Sequence, residues 1–459
     1  MNLIIVGAGI SGLATAYALR RRDPGLRFSL LESTPRTGGK VWTEHSAEGY
    51  ALEWGVNGFL NNKPRTLELA AELGLHPLQG AADAARRYVY RHQSLHRLPE
   101  SPPAFLRSRL LSLSGRFRVM LEPFIARGHE EDESLADFTR RRLGEEALQA
   151  LIDPMASGVF AGDPERMSLK SCFPRIHEIE QTHGSLIRGM LHLQREARRA
   201  GRGPGPGPGP SGTLTSFPGG MSELTDRLAA GLGDVIRLES AVESVSRTGS
   251  GYALHLAGGE TREAERVILA APAWAQAVML RELAPDLAGL LAGIEYPPLA
   301  VVCLAYRADR LPAPPDGFGF LVPGSEGRNL LGTIFDSNVF PGRAPDGHVL
   351  MRSMVGGSRA PALALRDDEQ LLDSVRAEFS AILGIHAEPE FARVVRHRRA
   401  IPQYHVGHSQ RLRDIETALR TLPGLHLTGN AFHGVSLNDC IANALALTEK
   451  FPGDTHAGH

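Results

Sequence analysis

Residues 3–32, LIIVGAGISGLATAYALRRRDPGLRFSLLE, decide the fold. Leu3, Ile4, Ile5 and Val6 form a short apolar run that meets Gly7, after which Ile10, Leu13, Ala14, Tyr17, Ala18 and Leu19 recur at helical spacing. Helical propensity fails at Asp23-Pro24-Gly25, and a second apolar run over 26–31 ends at Glu32. Strand, tight turn, helix and strand make a βαβ unit, so the chain opens a parallel sheet of the α/β class. Gly7, Ala8, Gly9, Ile10, Ser11 and Gly12 match GxGxxG. Its glycines allow a tight turn, backbone approach to a pyrophosphate and close helix packing, with unpaired helix amides facing the phosphates. Glu32 lies twenty residues beyond Gly12, where a carboxylate accepts ribose hydroxyls. The same expression recurs as GPGPSG at 207–212, but no strand precedes it and its prolines remove amide donors, so it is noise.

The chain has 459 residues, 42% hydrophobic and 22% charged, which fits two or three globular domains and excludes a disordered or collagenous protein. Fifty basic and fifty-one acidic side chains leave a net charge of −1, so no global field attracts nucleic acid or an anionic membrane. Three scattered cysteines, Cys172, Cys303 and Cys440, make neither a disulfide framework nor a zinc site and fit a reducing cytoplasm. No metal site is expected. No apolar run reaches the roughly 18–20 residues of a spanning helix. From about 99 to 200 the pattern turns helical and arginine-rich, with long helices expected over 105–124 and 134–150. GRGPGPGPGPSG at 201–212 reads as a tether. Strand signals at 235–245, 252–256 and 267–270 then resume, so the nucleotide domain is expected to be discontinuous, with further strands at 299–306 and within 318–354 and a closing strand, turn and helix over 425–451.

Two later glycine turns choose the dinucleotide. Thr37-Gly38-Gly39-Lys40 and Gly55-Val56-Asn57-Gly58 let backbone approach a large ligand, which nicotinamide sites do not usually need, so the series favours FAD over NAD. With no second credible GxGxxG and no CxxC, a two-nucleotide disulfide reductase is excluded and the substrate itself is the electron donor.

The sequence resembles the FAD-dependent amine oxidase superfamily, and within it the protoporphyrinogen oxidase family. The resemblance rests on VGAGISGLATAYAL (6–19), LLESTPRTGGKVWT (30–43), RRYVY (86–90), SPPAFL (101–106), SGVFAGDPERMSLKSCFP (157–174) and SFPGGMSEL (216–224). It continues through GFGFLVP (317–323), VGGSR (355–359), IPQY (401–404) and GNAFHGVSLNDCIANA (429–444). Val56 stands where the family usually has proline, Gly58 where it often has serine, and His433 where other aromatic or basic types occur.

The resemblance implies a Rossmann-type, discontinuous FAD-binding domain (1–85, about 235–295, 425–459), an α+β substrate domain (about 86–98, 213–234, 296–424) and an inserted α-helical membrane-associating domain (about 99–200). It carries FAD contacts onto residues 7–12, Glu32, Ser33, Gly39, Lys40, Gly55, Val56, Asn57, Gly58 and Val242. In the closing turn it adds Gly429, Asn430, Val435, Ser436 and Leu437, with Gly434 shaping that turn. It implies that Arg87 pairs with a substrate propionate, that Leu321, Ile334 and Met354 sandwich a macrocycle, and that the Gly158 carbonyl faces a pyrrole NH. The implied reaction is oxidation of protoporphyrinogen IX to protoporphyrin IX by successive hydride transfers to FAD, with dioxygen as acceptor, in haem biosynthesis. Coproporphyrinogen III oxidation, a generic amine oxidase and a flavin-binding redox scaffold stand as alternatives. Asn57 is the polar candidate beside the flavin, as an orienter; His433 is a second, as a base. The stretch 86–118 holds eight arginines and one acid, Glu100, among apolar residues, which suits anionic headgroups; the expected location is cytoplasmic, peripheral on the membrane, as monomer or homodimer.

Overall fold

The apolar run 3–6 becomes the middle strand, Asn2–Val6, of a five-stranded parallel sheet in the computed structural model, which describes residues 2–199 and 212–451. The tether expected at 201–212 therefore lies outside the described residues except for Gly212. After the exposed Asn2 the strand is apolar, because both sheet faces are covered. Leu3 and Ile5 pack with Leu13 of the first helix, Ile10–Arg22, and Ile441 of the closing helix, Leu437–Thr448. Ile4 and Val6, pointing the other way, pack with Leu280, Leu287 and Leu291. Across the sheet run Ile236–Arg237, Arg27–Leu31, Asn2–Val6, Arg266–Leu269 and Leu425–Leu427, so strands far apart in sequence are stitched into one parallel sheet, the Rossmann-type α/β arrangement expected.

A second, seven-stranded sheet runs in the order Phe391–His397, Leu299–Arg307, His348–Gly356, Gly332–Ile334, Gly319–Leu321, Arg87–Arg91 and Ser94–Arg97. One face packs on the helix Asp368–Leu383, where Tyr90, Phe320 and Met351 meet Leu371, Val375 and Phe379. On the other face Val301, Cys303 and Leu350 pack against Tyr50 and Leu52 at one end, and the remainder carries the site described below.

Three local readings are corrected. The helix expected over 105–124 is three short pieces, Pro102–Arg107, Leu113–Met120 and Glu122–Phe124. Ser112 caps the second of these by accepting the Gly115 amide at 3.0 Å, and a cap marks a start rather than an interior. The helix expected over 134–150 stops at Arg142, because Gly144 sits at φ 93°. The segment 213–234, expected with the substrate domain, instead buries Phe217, Leu224, Leu228 and Leu232 in the core of the first helix. Among the described residues no helix is long and apolar enough to cross a membrane.

Candidate active site

Gly7 leaves the central strand at φ +103°, its amide donating to the Leu31 carbonyl at 2.7 Å. Gly12 stands over that turn so closely that a Cβ there would overlap the Gly7 carbonyl oxygen. No side chain caps the first helix, so its leading amides are open to an anion. The Gly38 amide donates to the Ala8 carbonyl at 2.8 Å, which folds the turn at 37–40 against this cradle. Glu32 is buried, and its carboxylate accepts from the Ala8 amide at 2.8 Å and from the Thr34 amide and hydroxyl at 3.0 and 2.8 Å. The Ser33 hydroxyl adds a longer bond at 3.3 Å; three of the four donors crowd Oε1, and Oε2, which takes only the Ala8 amide, is the oxygen with a free acceptor site.

These elements open onto a cleft of about 940 Å³. Of the cofactor residues inferred from sequence, Gly7, Gly9, Ile10, Ser11, Glu32, Ser33, Gly39, Lys40, Val56, Val242, Gly429, Asn430, Val435 and Leu437 line it. Ala8 and Gly12 shape the cradle from behind. Gly55 and Gly58 do the same for their turn: a Cβ on Gly55 would come 2.8 Å from the Lys40 carbonyl, and one on Gly58 2.6 Å from the Thr215 carbonyl. Ser436 is spent on its own helix, donating to Asp439 Oδ2 at 2.6 Å and accepting the Asp439 amide at 3.2 Å in a capping box. His433 lies outside the cleft, exposed on a groove between Leu412 and Asn443.

Arg36, Trp54, Trp274 and His397 also line the cleft and escaped the sequence reading. Arg36 stacks over Trp42 and Trp54 at 4.4 and 5.5 Å, donates to the Thr37 and Gly39 carbonyls at 3.2 and 3.0 Å and has no carboxylate partner within bonding distance among the described residues, which leaves donors for a phosphate. Only its position before the Gly38-Gly39 turn hinted at this. Burial pulls the Lys40 ammonium down to about 8, and its single hydrogen-bond acceptor is the Ala400 carbonyl. Burial likewise lowers His397, whose Nε2 meets the Trp54 carbonyl at 2.8 Å.

The free face of the seven-stranded sheet is fixed by register. Arg87 pairs with Gly319, Gly319 with Ile334, and Ile334 with Arg352; two residues along, Val89 pairs with Leu321, Leu321 with Gly332, and Gly332 with Met354. A shift of two keeps the face, so Arg87, Leu321, Ile334 and Met354 project together. Gly158 arrives over them from the helix Asp153–Phe160, where a Cβ would sit 2.7 Å from Leu321 Cδ2. Arg87 stacks on Phe318 at 5.4 Å, and its guanidinium makes no hydrogen bond or ion pair with the described residues. Burial lowers its guanidinium, with the Glu100 charge acting the other way.

Two links join this face to the cleft. Arg352, fully buried and paired with Asp336 at 2.8 Å, donates to the Gly55 carbonyl at 3.1 Å. Met354 packs against Ala400, whose carbonyl takes Lys40. Asn57 lies two residues beyond Gly55, buried, with both amide atoms lacking a partner. It does not itself line the cleft, whereas its neighbour Val56 does.

A glycine cradle at a helix start, a buried carboxylate and two further glycine turns meet at one cleft, the arrangement of a nucleotide-binding oxidoreductase. The sequence profile of the flavin containing amine oxidoreductases matches residues 10–446, and the chain belongs to that family. It is 32% identical to the coproporphyrinogen III oxidase of Bacillus subtilis (strain 168) over 96% of this chain and 95% of that one. It is 33% identical to the chloroplastic protoporphyrinogen oxidase of Oryza sativa subsp. japonica, over 96% and 86%. A crystal structure from Exiguobacterium sp. 255-15, named provisionally as a protoporphyrinogen oxidase, matches with TM-score 0.84 and 28% identity over 98% of both chains.

Proposed function

We propose that this chain binds FAD and oxidises a porphyrinogen, protoporphyrinogen IX in the leading reading, to the porphyrin with dioxygen as the final acceptor. The observation that carries this is Arg87, a half-buried cation without a counter-ion among the described residues, on a sheet face whose other cation, Arg352, is already paired with Asp336. A macrocycle with apolar rings and carboxylate arms complements such a wall.

When bound, FAD supplies the two-electron acceptor, which dioxygen re-oxidises with release of peroxide. The cradle, Glu32 and Arg36 would hold the adenosine and pyrophosphate of FAD, and Lys40, Asn57 and the 429–437 turn would hold its flavin half. Arg87 anchors one propionate. Leu321, Ile334 and Met354 hold the rings flat and exclude water. Six hydrogens must leave one substrate in three two-electron steps, so the wall has to let the macrocycle re-present itself, which smooth aliphatic contacts allow. Asn57 orients; among the described residues no carboxylate pair or histidine stands on the wall as a base, so each of the three protons that accompany the three hydrides passes from a ring NH to solvent, tautomerisation serving only to bring it to a nitrogen that solvent reaches.

Coproporphyrinogen III is the second reading, favoured by the Bacillus relative and by a basic groove of about 620 Å³ lined by His96, Arg97, Arg107 and Arg109, since that substrate carries more carboxylates. Anaerobic mixing of the yellow protein with protoporphyrinogen, coproporphyrinogen and a polyamine decides among them. Flavin bleaching by a porphyrinogen supports the proposal, the faster substrate being the physiological class; bleaching by the polyamine alone, or by none, rejects it.

Arg87→Ala leaves a carboxylate unpaired in a partly desolvated site, at a cost of roughly 1.5–3 kcal/mol. Steady-state kinetics should show kcat/KM about ten- to a hundredfold lower, with Arg87→Lys recovering part because an ammonium lacks the planar fork. FAD content should not change. Wild-type kcat/KM in the alanine variant removes Arg87 from the site.

Peripheral membrane binding rests on a different surface than the arginine count suggests. Arg86 pairs with Asp83 and Asp316, Arg97 with Glu100, and Arg91, Arg116 and Arg118 are spent on the carbonyls of Leu110, of Leu106 and Ser112, and of residues 140–142; apart from Arg87 on the sheet face, that leaves the side chains of Arg107 and Arg109 without a hydrogen-bond or ion-pair partner among the described residues. Beside them Leu113, Phe117 and Phe124 are 78%, 61% and 79% exposed. Burying a phenylalanine is worth roughly 1.5–3 kcal/mol, so Phe124→Ser should lower co-sedimentation with anionic vesicles about tenfold or more, and salt should weaken wild-type binding only in part. Equal sedimentation of the two proteins discards this surface.

A further inference from the structure

The turn at 429–436 has no regular structure of its own, yet it lines the cofactor cleft through Gly429, Asn430 and Val435 and delivers the closing helix. Gly429 and Gly434 lie at φ +132° and +102°, a region open to glycine alone without strain, so the backbone has many alternatives to the observed path. What selects that path is a side chain from elsewhere. Tyr404 Oη donates to the Asn430 carbonyl at 2.6 Å and accepts the Gly434 amide at 3.0 Å, closing the turn from both ends. The ring is 2% exposed and stacks on His408 with centroids 4.1 Å apart and planes 10° apart, with Phe160 against it at 6.4 Å. Its own carbonyl accepts the Ser168 amide at 2.8 Å, which fixes the backbone that carries the phenol. Asn443 adds a bond to the His433 carbonyl at 2.9 Å, but from the exposed side of the turn.

We propose that Tyr404 is a positioning residue for the flavin half of the cofactor: its hydroxyl holds the 429–436 turn, and with it the N-terminal end of the Leu437–Thr448 helix, in the shape that receives the flavin. This rests on the FAD reading of the cleft. The adenosine half is held by Glu32 and the 7–12 cradle, neither of which Tyr404 touches. Loss of the hydroxyl therefore loosens one half of the ligand and not the other.

Tyr404→Phe keeps the stack on His408 and removes only the two hydrogen bonds. Apoprotein titrated with FAD and, separately, with ADP should show FAD Kd raised roughly tenfold, as expected for buried turn groups left unpaired, while ADP Kd stays within about twofold. The reduction potential of the bound flavin should move negative, because the positive end of the closing helix no longer meets the anion formed on reduction as closely. Parallel weakening of FAD and ADP marks a general structural role and overturns the proposal, as do unchanged FAD affinity and potential. A wild-type apoprotein that binds ADP but not FAD instead overturns the cofactor reading, and with it this one.

Discussion

Arg142→Ala is expected to open the helical segment between residues 122 and 199 without touching the cofactor. Arg142 is fully buried, and so are its two carboxylate partners, Glu122 at 3.1 Å and Glu180 at 2.6 Å. Its remaining donors go to the carbonyls of Ile125 at 3.0 Å and Gly184 at 2.7 Å, so one guanidinium ties three chain segments together. Glu122 in turn accepts the Ser185 hydroxyl at 2.6 Å and the Leu186 amide at 2.8 Å, fixing the start of the helix Leu186–Arg199. Alanine leaves Glu122 charged, dry and without a cation, whereas Glu180 keeps Arg141 at 2.8 Å. Breaking a buried pair from one side costs roughly 3–5 kcal/mol, about two to four decades in a local opening equilibrium. Hydrogen exchange of the 186–199 amides and the rate of limited proteolysis in this segment should rise by that factor, with FAD content at the wild-type level. Wild-type proteolysis would mean that the cluster is dispensable.

How much of this was readable in advance depended on the distance over which the deciding contacts act. The cradle, Glu32 and the turns at 37–40 and 55–58 were legible because each is a local pattern in which backbone geometry demands glycine or a carboxylate at fixed spacing. The apolar face was not legible from periodicity. It joins Arg87 to strands around 320, 333 and 353, and only the resemblance to a family brought those residues together; the sheet register now gives the physical reason they share a face. Trp274 and His397 had no motif at all, since each reaches the cleft through packing of distant elements. The stretch 86–118 shows the opposite error. Sequence counts its arginines but not their partners, and Asp316, which takes Arg86 at 2.6 Å, lies 230 residues away. The long helix expected over 105–124 failed for a local reason that was available, a serine cap at Ser112 inside an otherwise helical pattern.

The cradle itself makes the sharpest pair of expectations, because its two inner glycines are glycine for different reasons. At Gly12 a Cβ would overlap the Gly7 carbonyl oxygen, with the Gly7 carbonyl carbon 3.0 Å and Ala270 Cβ 3.3 Å away. Overpacking costs about 1–3 kcal/mol where side chains can yield, but here the obstacle is the backbone of the strand that centres the sheet, so the cost belongs at or above about 3 kcal/mol. Relief requires either lifting the first helix from the strand or turning the Gly7 peptide, and both move the amides that face the pyrophosphate. Gly12→Ala should therefore lose stability as apoprotein and bind FAD about a hundredfold more weakly or worse. Gly9 differs: a Cβ there meets nothing within 4 Å, and its φ of −73° suits any residue. Gly9→Ala should fold as apoprotein with an unchanged melting temperature, yet its methyl group would occupy the space in which a phosphate approaches the backbone. FAD affinity should fall while apoprotein stability holds. Melting curves of the two apoproteins, set beside FAD titrations, separate the helix-packing role from the ligand-approach role. A Gly12→Ala protein that purifies yellow with the wild-type melting temperature would refute the first, and a Gly9→Ala protein with wild-type FAD affinity the second.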